Sequence, residues 1–424
     1  MEINWLLCLL EYQIISAEKI KMPIGEARTL LSRFDSFTNA DFEKIKSIEK
    51  KTNHDIKAVE YFIKAELPSL GFGDDFIEYT HFLCTSEDIN NIAYSLMLKD
   101  FKSQVLSPTM QEVIFKLKEL AKSSRDCPML SRTHGQPATP TTMGKEMANF
   151  TYRLHKVHQQ INALNFSAKM NGAVGNYNAH YLVDPNVNWL EVTRHFIQNQ
   201  CHLNFNMFTT QIEPHDSICD FFSQVHRFNT IALGMSQDIW GYIAANYFKL
   251  SVVKGEIGSS IMPHKVNPID FENAEGNLGI ANSLLEFFNR KLPISRFQRD
   301  LSDSTVLRNI GLAMGHSMLS YQSLKTGISK IHPNEEHMKT ELDQNLEVLA
   351  EPIQQILRNN GYPNAYELLK EFTRGKRINR DELNTFIKSL PIDLQTKDKL
   401  LDLTPSKYIG IAQQLVDHLD TMVN

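Results

Sequence analysis

The 424-residue sequence is poor in several features that would assign it to a familiar class of protein. Its five cysteines are scattered and none forms a Cys-x-x-Cys pair, which argues against a disulfide framework and a structural zinc site. Neither sign of charge dominates, because 44 basic residues are balanced by 49 acidic ones, giving a net charge of -5. This balance gives no reason to expect a nucleic-acid or membrane partner, although one basic pocket for a phosphorylated substrate remains compatible with it.

Long hydrophobic runs and cofactor motifs are also missing. The first stretch, MEINWLLCLLEYQII, has an apolar part too short to cross a bilayer, and Glu2 stands where a signal peptide would carry lysine or arginine. We interpret this stretch as an amphipathic helix and expect a cytoplasmic protein. Neither a Gly-x-Gly-x-x-Gly loop nor a Walker loop occurs, so we expect no cofactor.

Helical periodicity is the strongest positive signal. Apolar residues recur at alternating steps of four and three from Met143 to Leu164, and again from Ile218 to Tyr242. If residues 217–250 form one helix, it is about 50 Å long at about 1.5 Å per residue. Strand signals are few, so the sequence predicts an all-α fold. The two seams fit a bundle shared between subunits or a buried helix pair within a monomer.

Changes in composition predict three domains. Proline, glycine and aspartate cluster between residues 68 and 75, and the texture changes to short amphipathic helices after His332. We therefore predict an N-terminal helical domain at residues 1–74, a central long-helix bundle at 75–330, and a C-terminal helical domain at 331–424.

One loop stands out against the helical background. Residues 255–272 read GEIGSSIMPHKVNPIDFE, and their glycines and prolines cannot form a regular helix. A plain surface loop is the simpler interpretation. The alternative is a catalytic loop in which Ser259 lies beside Lys265 and Asn267. A serine hydroxyl is a weak base unless a cation and backbone N–H groups stabilise its alkoxide, and this loop offers both.

Five other polar segments interrupt the helices, at residues 52–55, 81–88, 131–140, 209–216 and 299–309. Helix capping explains several of them equally well. Adjacent His-Asp pairs point to different faces of a helix, so we expect no metal site. Taken as a set, however, they offer hydroxyls for oxyanions, the cations Arg299 and Arg308, and the proton donor His134. This combination predicts proton abstraction next to a carboxylate, followed by elimination.

The stretch GSSIMPHKVNP resembles the signature loop GSSxMPxKxNP of the fumarase/aspartase superfamily. The stretches KTNHDIKAVEYF, CTSEDINN, SRTHGQPATPTTMGKEMAN, NGAVGNYNAH, TTQIEPHD and RDLSDSTVLRN are similar to bacterial adenylosuccinate lyases. The resemblance covers nearly the whole chain. It implies an all-helical fold of three domains, a central bundle shared in a homotetramer, and active sites that each draw on three subunits.

The resemblance also implies a reaction. Members of this family are carbon–nitrogen lyases of purine nucleotide biosynthesis, which release fumarate from adenylosuccinate, giving AMP, and from the ribotide SAICAR, giving AICAR. By motif, Ser259 matches the general base, His134 the general acid, and His54 a residue that orients the substrate. The implied substrate ligands are Asn53, Asp55, His81, Thr85, Ser86, Gln211, Ser260, Lys265, Asn267, Asn273, Arg299, Ser304, Thr305 and Arg308. The small residues around Ser259 predict a loop that closes over bound substrate.

One departure from the family leaves alternatives open. Family members carry a Gly-Arg-Tyr segment whose Arg-Tyr pair contacts the substrate phosphate, and no such tripeptide occurs here. Losing one charge-assisted phosphate contact would weaken substrate binding about ten- to hundredfold. The alternatives are therefore a catalytically impaired structural or interaction homologue, or another lyase of the superfamily, such as argininosuccinate lyase, fumarase or carboxymuconate cycloisomerase.

Overall fold

The computed structural model describes residues 1–423, and helices dominate it, so the predicted all-α class is confirmed. The helices in the first half of the chain are α1 (Glu2–Glu11), α2 (Ala17–Ile20), α3 (Ile24–Leu31), α4 (Asn39–Thr52), α5 (Asp55–Glu66), α6 (Asp74–Ile77), α7 (Ser86–Phe101), α8 (Ser107–Ser123), α9 (Met143–Ala163), α10 (Asn178–Val183) and α11 (Trp189–His195). Those in the second half are α12 (Asp216–Ala244), α13 (Ile269–Lys291), α14 (Ser302–Leu307), α15 (Ile310–Lys330), α16 (Glu335–Asp343), α17 (Ala350–Asn359), α18 (Ala365–Thr373), α19 (Arg380–Ser389), α20 (Leu394–Asp402), α21 (Ala412–Asp417) and α22 (Leu419–Met422).

Shorter elements connect these helices. The 3₁₀ turns are Ser32–Asp35, Leu67–Leu70, Leu346–Leu349 and Pro405–Lys407, and the π-helical turns are Lys102–Leu106 and Phe196–Gln200. The strands are β1 (Pro128–Thr133), β2 (Gln136–Thr142), β3 (Ser167–Ala168), β4 (Asn204–Phe205), β5 (Phe248–Leu250) and β6 (Ile331–Pro333). They form three two-stranded sheets, of which β1–β2 and β5–β6 are antiparallel and β3–β4 is parallel.

The chain divides into two compact units. Unit 1 contains Met1–Leu106, Ile161–Gln224 and Leu284–Gly311. Unit 2 contains Ser107–Gln160, Val225–Ser283 and the chain from Leu312 onward. Several long helices therefore contribute residues to both units.

The long helix α12 differs in length from the prediction. It has 29 residues, or about 43 Å at about 1.5 Å per residue, and its apolar seam, including Phe228 and Met235, is buried. The predicted extension to Leu250 is wrong. The chain leaves the helix at Ala244, and Asn246 adopts a left-handed conformation with φ of 60°. The next residues form β5 and pair with β6 instead of adding a helical turn.

Polar contacts fix the register of helices inside unit 2. The buried Asn229 on α12 donates to the Ser317 hydroxyl at 3.0 Å and accepts from the Tyr321 hydroxyl at 2.5 Å, both on α15. Because an unpaired amide in this position would be costly, the contacts favour one alignment of the two helices. In the described part of the chain, no helix has both the length and the apolar character to cross a bilayer. All five cysteines are free thiols.

Candidate active site

Unit 1 contains a polar cleft of about 800 Å³, a size that suits a small-molecule ligand. Four segments that are far apart in the sequence line it: the α4–α5 junction, the start of α7, Gln211, and the residues around α14. The cleft brings together many of the predicted site residues, namely Asn53, His54, Asp55, Thr85, Ser86, Gln211, Arg299, Ser304 and Arg308. The polar segments that sequence reasoning grouped by chemistry are therefore neighbours in space.

The α4–α5 junction presents a histidine with one defined nitrogen. Asn53 ends α4 in a left-handed conformation, and His54 is the N-cap of α5. The His54 Nδ1 accepts the backbone N–H of Lys57 at 3.2 Å. In the neutral ring the proton therefore lies on Nε2, which leaves that nitrogen as a donor. The neighbouring Asp55 contacts Arg308 at 3.4 Å between Oδ2 and Nη2.

The start of α7 presents hydroxyl groups at a helix N-terminus. Thr85 is the N-cap, and its N–H donates to the Asp88 carboxylate at 2.8 Å. Ser86 begins the 16-residue helix, whose N-terminus carries partial positive charge. Asp88 is fully buried and also accepts the backbone N–H of Asn171 at 3.0 Å. Hydroxyls at a helix N-terminus suit phosphate or carboxylate oxygens.

The floor of the cleft holds an arginine between two carboxylates. Arg299 Nη1 lies 3.1 Å from Glu87 Oε1 and 3.6 Å from Asp303 Oδ2, and both carboxylates are buried. Burial raises the pKa of Glu87, while the charge of Arg299 and a hydrogen bond from Asn90 act against that rise. Gln211 also lines the cleft, and its side-chain Nε2 donates to the Ala173 carbonyl at 3.0 Å.

Sequence reasoning missed several lining residues, which are Glu49, Glu87, Asn90, Tyr94, Asp300, Leu301, Asp303 and Leu307. Glu87, Asn90 and Asp303 lie inside the stretches that carry the family resemblance, so their position was the available signal. Glu49 and Tyr94 are partly buried on helices that have no unusual pattern, and nothing in the sequence marks them.

Two predicted residues of unit 1 do not line the cleft. His81 lies in a turn with φ of 64°, and its Nδ1 is 2.7 Å from Glu2 Oε1. Burial lowers the pKa of His81, but the hydrogen bond and charge of Glu2 outweigh this, so the pKa is raised. Thr305 is exposed on α14. Their roles as substrate ligands stay predictions.

The loop at residues 255–272 belongs to unit 2 and has a defined internal geometry. The Ser259 Oγ accepts backbone N–H groups from Ile261 at 3.3 Å and Met262 at 3.0 Å. The Asn267 amide donates to the Gly258 carbonyl at 2.6 Å and closes residues 258–267 into a hydrogen-bonded ring. Two N–H donors on one hydroxyl oxygen stabilise negative charge there, which is the condition for a serine base.

The ring depends on a glycine and carries further predicted residues. A Cβ on Gly258 would lie 1.8 Å from the Lys265 carbonyl oxygen, so a side chain cannot fit. Ser260 and Lys265 are exposed on the same loop. Asn273 follows on the exposed side of α13, where its Oδ1 accepts from Ser323 at 2.9 Å. Unit 2 therefore presents a hydroxyl, a cation and amides within 15 residues of chain.

His134 occupies a position that sequence reasoning did not foresee. The segment treated as a polar interruption is the β1–β2 hairpin, with Thr133 opposite Gln136. His134 and Gly135 form its two-residue turn, with φ of 53° and 75°. Positive φ at both positions is the pattern of a type I′ turn, which matches the twist of the strands. The hairpin thus exposes an imidazole at its tip in unit 2.

One group among the described residues could hold a metal ion. The ligand atoms of Glu2, His81 and Cys84 lie within 4.8 Å of one another. The hydrogen bond between Glu2 and His81 accounts for this proximity without an ion. Burial raises the pKa of the Cys84 thiol well above its usual value, which disfavours the thiolate that a metal needs.

Comparisons with known proteins show the family of the chain. The sequence model of the family described as "Lyase" matches residues 18–281, and that described as "Adenylosuccinate lyase C-terminal" matches residues 295–409. An adenylosuccinate lyase from Escherichia coli (strain K12) is 51% identical over 387 residues, which cover 91% of this chain and 84% of the relative. One from Vibrio cholerae serotype O1 is 49% identical over 425 residues, covering 99% and 92%.

Solved structures match the fold. A fumarate lyase from Mesorhizobium sp. BNC1 superposes with a TM-score of 0.79 at 17% identity, covering 99% of this chain and 92% of that one. The 3-carboxy-cis,cis-muconate lactonizing enzyme from Pseudomonas putida gives 0.74 at 19% identity, with 99% and 93% covered. At these identities the likeness concerns the fold alone, and it confirms the fumarase/aspartase-like fold that the sequence predicts.

Proposed function

The chain belongs to the adenylosuccinate lyase family, and we propose on this premise that it releases fumarate from adenylosuccinate, giving AMP, and from SAICAR, giving AICAR. Relatives that carry this name are about half identical to the chain over most of its length. The single observation that carries the mechanism is the ring around Ser259, which directs two N–H groups at its hydroxyl oxygen.

Ser259 is the proposed base. As its alkoxide it takes the proton from the Cβ of the succinyl group, and the electrons of the broken C–H bond remain on that carbon beside the carboxylate. Lys265 and Asn267, on the same loop, would stabilise the carboxylate on which this negative charge grows. The Ile261 and Met262 N–H groups would hold the alkoxide before it reacts.

His134 is the proposed acid. The carbanion electrons form the new double bond of fumarate as the C–N bond breaks, and the imidazolium of His134 gives its proton to the leaving nitrogen. His54 supports this step, because its Nδ1 is occupied by the Lys57 N–H and its Nε2 proton is available to the substrate. The proton balance then closes with Ser259 protonated and His134 neutral.

The cleft of unit 1 would hold the charged ends of the substrate. Thr85 and Ser86 offer hydroxyls at a helix N-terminus, while Arg299 and Arg308 supply positive charge. The other proposed ligands are Asn53, Asp55, His81, Gln211, Ser260, Asn273, Ser304 and Thr305. The substrates carry a phosphate and two carboxylates, and the hydroxyls and arginines of the cleft suit these oxyanions.

We propose a homotetramer in which neighbouring subunits complete each active site. Large apolar side chains are exposed on the long helices of unit 2, including Trp240, Ile280 and Leu319, which are 47%, 49% and 59% accessible. Such faces favour burial against another subunit. The base and acid belong to unit 2 and the cleft to unit 1, and assembly would supply both sets to one substrate. Five free thiols suit the reducing cytoplasm, where we place the protein.

A turnover assay tests the proposal. The purified protein is mixed in parallel with adenylosuccinate, SAICAR and argininosuccinate, and fumarate release is followed by absorbance. We expect turnover of the first two and none of the third. Turnover of argininosuccinate alone would assign the chain to a different lyase reaction, and no turnover of any would favour a structural role.

A further inference from the structure

The environment of Arg299 contains more negative charge than a substrate-binding arginine requires. Its side chain is 20% accessible, while those of Glu87 and Asp303 are 8% and 4% accessible. A cleft for a polyanion gains nothing from two carboxylates that face the ligand, because both would repel it. Their closeness to one guanidinium nitrogen indicates a different purpose.

The two carboxylates are held differently. Glu87 lies in the first turn of α7, and its Oε1 accepts a hydrogen bond from the Asn90 amide at 3.2 Å. Asp303 lies in the first turn of α14, and neither of its buried oxygens has a hydrogen-bond donor among the described residues. Burial lowers the pKa of the neighbouring His215 to about 4, so that ring is neutral and brings no charge to Asp303. Arg299 is thus the cation within ion-pair distance of both carboxylates.

We propose that Glu87 and Asp303 are positioning residues, which fix the guanidinium of Arg299 so that it binds the anionic substrate without first being ordered. A guanidinium has five N–H donors in a rigid fork. The buried Nη1 has no hydrogen-bond partner among the described residues, so the two carboxylates attract it by charge at 3.1 and 3.6 Å, and the donors of Nε and Nη2 remain for a ligand. Because ordering a long side chain opposes binding, an arginine held in advance binds the same anion more tightly.

The proposal deepens the proposed function, on which it rests for the identity of the substrate. Neither carboxylate contacts the ligand in this account, so each acts only through Arg299. This gives a specific expectation: removing a carboxylate matters when Arg299 is present and ceases to matter when Arg299 is absent. A residue needed only for folding shows no such dependence.

The test is a double-mutant cycle on Asp303 and Arg299. We expect Asp303→Asn to raise the KM for adenylosuccinate about tenfold and to leave kcat within about threefold, because ground-state anion binding is weakened. In an Arg299→Gln background the same substitution should change KM by less than about twofold. Glu87→Gln should follow the same pattern, and it serves as the second variant if Asp303→Asn does not fold.

Glu213→Gln is the matched control. Glu213 is also a buried carboxylate of unit 1, but it contacts Asn206 and the backbone of His215 and lies outside the cleft lining. We expect it to lower thermal stability without coupling to Arg299. An increase in KM from Asp303→Asn that is equal in both Arg299 backgrounds, or no increase at all, would overturn the proposal.

A second readout separates this inference from the proposed function. The same cycle is measured on the Kd for inorganic phosphate by calorimetry, which requires no turnover. If the protein does not act on adenylosuccinate but the phosphate cycle shows the coupling, the proposed function fails and the positioning role stands. If the protein is an active lyase without coupling in either measurement, the positioning role fails alone.

Discussion

Asp88 and Lys169 form an ion pair that is completely enclosed within unit 1. The Lys169 Nζ lies 3.0 Å from the Asp88 Oδ1, and neither side chain has accessible surface. The same carboxylate accepts the N–H of Thr85, so the pair ties the start of α7 to the segment around Asn171. A residue that touches no substrate therefore fixes one wall of the cleft.

We predict that removing Lys169 alone destabilises the protein more than removing both charges of the pair. Lys169→Met leaves the buried Asp88 charge unpaired and should cost about 3–5 kcal/mol of stability. Adding Asp88→Asn removes that charge and should recover part of the loss. Thermal unfolding of the two variants measures the difference. Equal melting temperatures for the single and double variants would contradict the account.

The helical seams could be predicted from the sequence, but their ends could not. The seam of α12 follows from its 3–4 spacing, and the buried Met235 confirms it. The end at Ala244 depends on the pairing of β5 with β6. These strands lie more than 80 positions apart in the sequence, so a local pattern cannot predict that they pair. The β1–β2 hairpin was missed because its turn, His134-Gly135, lacks the commoner Asn-Gly sequence.

Acid should destabilise the protein through His180. Among the described residues, neither of its ring nitrogens has a hydrogen-bond partner, and the ring packs edge-on against Tyr177 and Trp189. Burial lowers its pKa to about 4 from the usual 6.5. As the pH falls below about 6.5, the unfolded chain binds a proton that the folded one refuses, so stability falls.

The expected loss is about 2 kcal/mol between pH 7 and pH 5 for this one side chain. His180→Phe keeps an aromatic ring and removes the titrating group. The drop in melting temperature from pH 7 to pH 5 should therefore be smaller in His180→Phe than in the parent protein. The same drop in both proteins would show that His180 does not titrate in this way.

Gly258→Ala should disable the loop. The new methyl group would meet the Lys265 carbonyl and force the ring around Ser259 open. We predict a loss of kcat with little change in melting temperature, because the loop is exposed. Gly255→Ala is the control, since its Cβ meets nothing within 4 Å, although its φ of 95° adds some strain. Equal kcat values for the two variants would argue against the importance of the ring.

Some residues of the candidate site could be predicted from the sequence and others could not. Ser259, Lys265 and Asn267 were predicted because a compact motif holds them in one loop. Glu87 and Asp303 were missed, although both lie in the stretches that were quoted. A carboxylate in a cleft proposed to bind anions contradicts simple charge matching, and only the contacts with Arg299 suggest a role for it.

A subunit-mixing experiment tests the proposed homotetramer with active sites shared between subunits. Ser259→Ala and His134→Ala should each be inactive when assembled alone. If neighbouring subunits contribute the base and the acid, mixed tetramers contain some sites with both groups intact, and activity should return after the two proteins exchange subunits. Mixed tetramers that form but stay inactive would show that one subunit supplies both residues.

Turnover of adenylosuccinate by Ser259→Ala, compared with the unaltered protein, measures the role of Ser259 as the base. We predict that the unaltered protein releases AMP and fumarate in equal amounts. We also predict that the variant still binds adenylosuccinate but turns it over about 10²–10⁴ times more slowly. A variant that retains most of its turnover would contradict the assignment of Ser259 as the base.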